Sequence, residues 1–315
     1  MPKNSKYNIG IDLGNGYTNF FSQASGEGCR FETKMKSVSS FPYGTNQRSD
    51  IRWVEFGTEK FIVGEGTSLP VQDVKERINN QGYKIALLTA IASALPRSGY
   101  AEVNLTVGLP ISRIELFGSE LKSIISGWGA TEFMMDGNRY EIKISNVTVF
   151  PEGALSMLMD LRDGRVLTID MGSGTVDCVE FTYGQPGVTH TVQSSMRNIY
   201  SDVVERLNKK HGMSVNTDSV EKYIGKNVIW YDRKDLDISE HLQDIELGVK
   251  RIIGEIEAKF GELKEYDRII LMGGGAILTQ SYWEASINGI ELKDNAQYAN
   301  AEIFQKVAEQ VGRTA

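Results

Sequence analysis

The chain has 315 residues, 41% hydrophobic and 24% charged, with 34 basic against 41 acidic side chains and a net charge of −7. That length holds one large domain or two medium ones, each able to bury a core, and the composition excludes a disordered chain. The acidic balance, without a basic cluster, argues against direct binding to nucleic acid through its phosphates. Cys29 and Cys178 lie far apart, without metal-ligand or redox spacing, which suits a reducing, cytoplasmic compartment. The basic start, Met1 to Lys6, is not followed by an apolar signal region, because Asp12 interrupts it. No apolar run approaches the roughly 20 residues of a membrane span.

In chain order, residues 7–13 read as an apolar strand, and 18–22 as its return after a Gly-Asn-Gly turn. Residues 29–68 read as a looser insertion with short strands near 52–56 and 61–63. The inserted subdomain as a whole is expected to cover about 29–96. Residues 83–95 are helical by pattern, and 102–108 form a strand ending in Leu109-Pro110. Ser112 and Glu115 have capping-box spacing for a helix reaching about 125. A strand follows at 141–150 and a helix at 152–161. A second strand pair is expected at 166–171 and 176–182, then helices at 197–210 and 239–260. The buried strand 267–272, a helix at 276–286 and a last helix at 295–311 complete the pattern. Alternating strands and helices give an α/β class.

The sequence repeats itself. IGIDLGNGYTNFF at 9–21 and LTIDMGSGTVDCVEF at 167–181 share Ile-Asp, an apolar residue, Gly-x-Gly and a β-prone run. Asp12 and Asp170 stand about half a chain length apart. The pair implies a duplicated domain whose halves each open with a strand, a glycine turn and a returning strand. Glycine in such turns permits positive φ. A third glycine signal, Gly273-Gly274-Gly275, follows the strand ending at Met272 and opens a helix. It has neither Walker nor dinucleotide spacing. Taken singly, each hairpin turn is equally a plain reversal, and the triple glycine reads first as a close helix–strand packing turn. Together they can direct backbone amides at a polyphosphate, with two aspartates beside a magnesium ion held largely through its waters.

The order of these motifs resembles the actin and sugar-kinase ATPase superfamily. The resemblance covers residues 8 to about 306 and implies an actin-like, ribonuclease H-like fold, with duplicated α/β domains and mixed sheets around a nucleotide cleft. Domain I would take 1–165 plus 291–315, and domain II 166–290. By resemblance, Gly14, Asn15, Gly16 and Tyr17 form the first phosphate loop, and Gly172, Ser173, Gly174 and Thr175 the second. Asp12, Asp170 and Asp177 become magnesium-side carboxylates, with Asp170 also catalytic. Gly273, Gly274 and Gly275 become the nucleoside site, with Glu246 and Lys250 offered from the long helix before it. For that pair a solvated charged face is an equal reading. Pro151-Glu152-Gly153-Ala154 matches the connecting segment, so Glu152 would orient the water that attacks the γ-phosphate. By itself, Glu152 reads first as a first-turn acid complementing a helix dipole, and the phosphate motifs turn the reading to catalysis. One departure stands out: where actin carries a phosphate-pairing lysine, this chain has Asn19.

The run Asp294-Asn295-Ala296-Gln297-Tyr298-Ala299-Asn300-Ala301 is similar to a segment of the ParM (StbA-type) plasmid-segregation actins, as is Val107-Gly108-Leu109-Pro110. That similarity implies a filament-forming ATPase or GTPase that uses ATP or GTP with Mg²⁺. It would assemble head to tail with itself, and reach plasmid DNA only through a small DNA-binding adaptor, away from any membrane. The alternative on the same fold is a sugar or acyl kinase, for which no acceptor cluster is evident. His190, His211 and His241 are isolated, and Trp53, Trp128, Trp230 and Trp283 are scattered.

Overall fold

A computed structural model describes residues 6–42, 48–69, 74–162, 164–217 and 219–314. The basic stretch Met1–Ser5 lies outside them. The chain forms two compact units, Met1–Met159 with Tyr298–Ala315, and Asp160–Gln297.

The first unit is built on strands β1 (Lys6–Leu13), β2 (Tyr17–Phe21), β3 (Gly28–Glu32), β4 (Lys34–Val38), β5 (Arg52–Phe56), β6 (Glu59–Val63) and β7 (Thr67–Ser68). Helices α1 (Val74–Ile78) and α2 (Gln81–Ala94) follow. Then come β8 (Gly99–Leu109), α3 (Ile114–Ser126), β9 (Ala130–Met135) and β10 (Asn138–Pro151). All ten strands join one sheet, in the order β3-β2-β1-β8-β10-β9-β5-β6-β4-β7. The expected insertion is therefore no separate layer: its strands extend the main sheet through β9. The central strands bury Ile9, Ile11, Val103, Leu105 and Ile142, and α2 is apolar on nearly every side because it is buried all round. Across the sheet, Asn104 donates to Asn8 and Asn146 to Asn104, each at 2.7 Å, so the buried Asn104 amide is satisfied at both its nitrogen and its oxygen.

The second unit holds β11 (Arg165–Met171), β12 (Val176–Thr182), β13 (Gln185–Val192), α4 (Met196–His211), a hairpin of β14 (Val228–Tyr231) and β15 (Lys234–Asp237), α5 (His241–Phe260), β16 (Arg268–Met272), α6 (Gly274–Ser286) and β17 (Glu291–Leu292). Its main sheet runs β13-β12-β11-β16-β17. β17 pairs in parallel with β16, so these residues, expected in the first domain, complete the second sheet. The last helix, α7 (Ala299–Thr314), belongs to the first unit and lies on β1. There the absent side chain of Gly10 makes room, because a Cβ would come within 2.0 Å of the Gln305 backbone nitrogen.

The duplication is visible as topology. In each unit an antiparallel pair (β1 with β2, β11 with β12) is flanked by a further antiparallel strand (β3 or β13) and by two parallel strands (β8 and β10, or β16 and β17).

Two local expectations fail. Residues 152–161 do not form a helix. Gly153 has φ of 79°, which breaks helical continuity after Glu152, and only the short 3₁₀ turn Leu155–Met157 follows. Ser112 does not cap α3. It sits inside the 3₁₀ turn Ile111–Arg113, closed by the Arg113 amide on the Pro110 carbonyl, and α3 starts without a side-chain cap.

Candidate functional site

The two glycine turns are closed alike. The Gly14 amide donates to the Tyr17 carbonyl at 3.0 Å, and the Gly172 amide to the Thr175 carbonyl at 3.0 Å. Gly14, Gly16, Gly172 and Gly174 are not among the positive-φ residues, which corrects the expectation that handedness explains them. Space explains two of them: a Cβ on Gly14 would meet the Tyr17 carbonyl oxygen at 2.9 Å, and one on Gly172 the Thr175 carbonyl oxygen at 2.9 Å. Each turn brings two backbone segments too close for a side chain.

The aspartates keep register as well. Asp12 is paired across the hairpin with Asn19, and Asp170 with Asp177. Asn19 thus holds the first-unit place of Asp177, and the two pairs are chemically different. In the first, Asn19 donates from its amide nitrogen to Asp12 at 3.0 Å. Burial pushes the Asp12 carboxyl up to about 6, against the lowering effect of that hydrogen bond and of the Arg77 charge. In the second, Asp177 is 2% exposed and accepts from the hydroxyls of Thr175 at 3.0 Å and Thr191 at 2.6 Å. Asp177 therefore fixes Thr175, the last residue of the turn. The helix α4 docks on this turn: Ser195 donates its hydroxyl to the Ser173 carbonyl at 3.0 Å and the Arg197 amide does so at 3.1 Å.

Glu152 stands just past the end of β10, its amide bonded to the Leu109 carbonyl at 3.0 Å. The missing side chain of Gly108 makes room chiefly for the Phe304 ring of α7, 2.3 Å from where a Cβ would stand, with Glu152 Cγ beside it at 3.2 Å. The next residue, Gly153, donates its amide to Asn300 Oδ1 at 3.0 Å in a buried contact. Asn300 on α7 thereby fixes the turn that carries Glu152. The buried Tyr83 of α2 feels Glu152, Asp12 and Arg77 together, and desolvation first, then the two carboxylates, push its hydroxyl up to about 12. Asp12, Tyr83, Arg77 and Glu152 thus form one electrostatic group in the first unit.

In the second unit the triple glycine is packed by protein. Gly273 has φ of 88° and its missing Cβ faces Asp170 Oδ1 at 2.5 Å. That of Gly274 faces Gln297, and that of Gly275 faces Met196 and Met171. The Gly273 amide donates to the Ala296 carbonyl at 2.9 Å. The run at 294–301 is therefore tied to the glycine turn through Ala296 and Gln297. In the first unit its Tyr298 ring lies on Gly28 and edge-on to Phe21.

Residues 10–154 match the sequence family "Actin like proteins N terminal domain", and residues 168–284 match "Archaeal actin homologue MreB-like, C-terminal". The chain is an actin-like protein. Among solved structures it is similar to a ParM in a 15-stranded filament from Clostridium botulinum (21% identity, 98% of this chain and 100% of that one, TM-score 0.81). It is also similar to a non-polymerisable quadruple mutant of pCBH ParM (19%, 97% and 100%, 0.79). An archaeal actin homologue in complex with ADP matches at 19%, 96% and 99%, with a TM-score of 0.78. At these identities the likeness is one of fold. No curated protein matches the sequence.

Among the described residues of this actin-like chain, no three His, Cys, Asp or Glu side chains form a metal-holding cluster. The donor set still suits magnesium, which keeps most of its waters and takes one or two carboxylates beside substrate phosphates. Asp12 in the first unit and Asp170 in the second are each a carboxylate of that kind, and both Asp177 oxygens accept from threonine hydroxyls. Glu246 and Lys250 pair with each other at 2.6 Å on the exposed face of α5, near Tyr282 of α6, whose hydroxyl Glu246 helps to raise. No helix among the described residues is long and apolar enough to cross a membrane. Cys178 is buried, which holds its thiol well above the usual range.

Sequence reading missed Arg77, Tyr83 and Asn300 as parts of the site. Arg77 sits on the five-residue helix α1, too short to leave a periodic signal. Asn300 lay inside a motif recognised only by likeness, without a physical role.

Proposed function

We propose that the chain binds and hydrolyses a nucleoside triphosphate, ATP or GTP, with Mg²⁺, and that the nucleotide drives its assembly into head-to-tail filaments. The observation that carries this reading is the pair of equivalent turns, each closed by the same 3.0 Å bond and each preceded by an aspartate. Gly14, Asn15, Gly16 and Tyr17 form one phosphate-binding turn in this reading, and Gly172, Ser173, Gly174 and Thr175 the other. Asp12 and Asp170 are the magnesium-side carboxylates, and Asp177 orients Thr175. When bound, magnesium supplies charge neutralisation at the phosphates.

Glu152 positions the attacking water. Phosphoryl transfer needs an aligned nucleophile and stabilised charge more than covalent help from the protein. Asn300 keeps Glu152 in place through the Gly153 amide. Gly273, Gly274 and Gly275 form the nucleoside side, with Glu246 and Lys250 at its margin. The finer role is cytoplasmic segregation of plasmid DNA through a small DNA-binding adaptor, supported by the ParM-like fold and the net charge of −7.

Right-angle light scattering after addition of Mg-ATP or Mg-GTP, with phosphate release followed in parallel, tests the reading. A rise in scattering accompanied by phosphate release is expected. Glu152→Ala should slow release about a hundredfold while polymer still forms, the low end of what a positioned acid–base residue contributes. A wild-type chain that neither scatters nor releases phosphate with either nucleotide ends the proposal.

A further inference from the structure

The first turn lacks a cation of its own. Its residues Gly14, Asn15, Gly16 and Tyr17 and the neighbouring Asn19 are all neutral, while Asp12 and Glu152 stand in the same electrostatic group. A triphosphate brought there would add negative charge to a site already holding two carboxylates. A permanently charged group does reach the turn from outside the hairpin. Arg77 of α1 donates from Nη1 to Asn15 Oδ1 at 2.8 Å and from Nη2 to the Leu13 carbonyl. Its guanidinium lies 5.8 Å from the centre of the Tyr83 ring.

Both of its hydrogen-bond partners are neutral oxygens, and among the described residues Arg77 makes no ion pair with a carboxylate. A guanidinium carries five N–H donors in a rigid fork, so two spent on the turn leave an edge for another acceptor. Asp12 feels the guanidinium charge, but both of these Arg77 bonds go to the turn, so the free edge of the fork stays open to a further anion. We infer that Arg77 is the phosphate-binding cation of the first turn, taking the charge of a nucleoside polyphosphate at the place where Asn19 supplies none. The inference rests on the nucleotide-binding reading above. Arginine suits the role because its planar fork matches phosphate oxygens two at a time.

Clamping the turn and binding phosphate make different demands. Glutamine can keep a hydrogen bond to the turn without charge, and lysine keeps charge without the fork. The test measures dissociation constants of fluorescent ATP, GTP and their monophosphates, in magnesium buffer. The proteins are wild type, Arg77→Gln, Arg77→Lys and Arg30→Ala, with circular dichroism confirming the fold of each. Arg30 is the comparison because its guanidinium, 4.3 Å from the Tyr17 ring centre, is another cation near this hairpin.

Arg77→Gln is expected to weaken triphosphate binding about tenfold or more, as loss of a charge-assisted pair does, while monophosphate binding changes little. Arg77→Lys should recover part of the triphosphate preference. If Arg77→Gln keeps the wild-type ratio of triphosphate to monophosphate affinity, or loses both equally, Arg77 is a clamp and the inference falls. Loss of the ratio in Arg30→Ala alone moves the role to Arg30 and also overturns it. If the wild-type chain binds neither triphosphate, the nucleotide reading itself fails, a result separable from failure of Arg77 alone.

Discussion

Asp12 carries the sharpest consequence at the scale of single residues. Its folded-state carboxyl lies near 6, raised from 3.8 by burial. The folded state therefore favours the protonated form. The stability this lends is fully present below pH 3.8 and is lost as pH rises through 6. Asp12→Asn keeps the partnership with Asn19 and removes the ionisation. It is expected to stabilise the nucleotide-free protein at pH 8 by about 1–3 kcal/mol, with the gain disappearing towards pH 4. Melting temperatures across that range check the sign, and the same variant should lose magnesium-dependent turnover. A stable but inactive protein would show that folding stability is given up here for chemistry. Gly10 answers to space instead. Gly10→Ala should lower unfolding free energy by about 1–3 kcal/mol or more, read from urea titration, because the clash is with backbone of α7 and cannot be relieved by a rotamer change.

At the scale of elements, β10 and α7 meet through one hydrogen bond that matters to the site. Asn300→Leu removes the acceptor of the buried Gly153 amide and leaves that donor without it. A loss of about 1–3 kcal/mol in stability is expected, and phosphate release should fall more than nucleotide affinity, since the turn bearing Glu152 loses its tether. Equal losses in both would show a general packing defect. The elements also show what sequence could and could not reveal. Strands β1, β2, β11 and β12 and the turns between them were legible because alternation, glycine and aspartate repeat at matching places. The turn after Glu152 was not, because the pattern of residues 152–161 suits a helix, whereas Gly153 at φ 79° and Ala154 at ψ 61° break it. The candidate site was legible where it is local, as the two hairpin turns. Arg77 and Tyr83 come from separate helices, and nothing in their immediate neighbours announces that they join Asp12. The roles given to Glu246 and Lys250 came from likeness alone, and their geometry is that of a solvated ion pair.

For the whole molecule, the second unit is inserted into the first, since residues 160–297 interrupt it. The bond that seats α7 on β1, from the Gly10 amide to Gln305 Oε1 at 3.0 Å, spans 295 positions. A ribosome adding about 5–20 residues per second needs roughly 15–60 s to deliver Gln305 after Gly10 has emerged. Throughout that interval the face of β1 that α7 will cover has no partner, so the nascent chain waits with an apolar flank open to chaperones or to a neighbouring copy. The unit whose strands are synthesised first is thus the last to be finished.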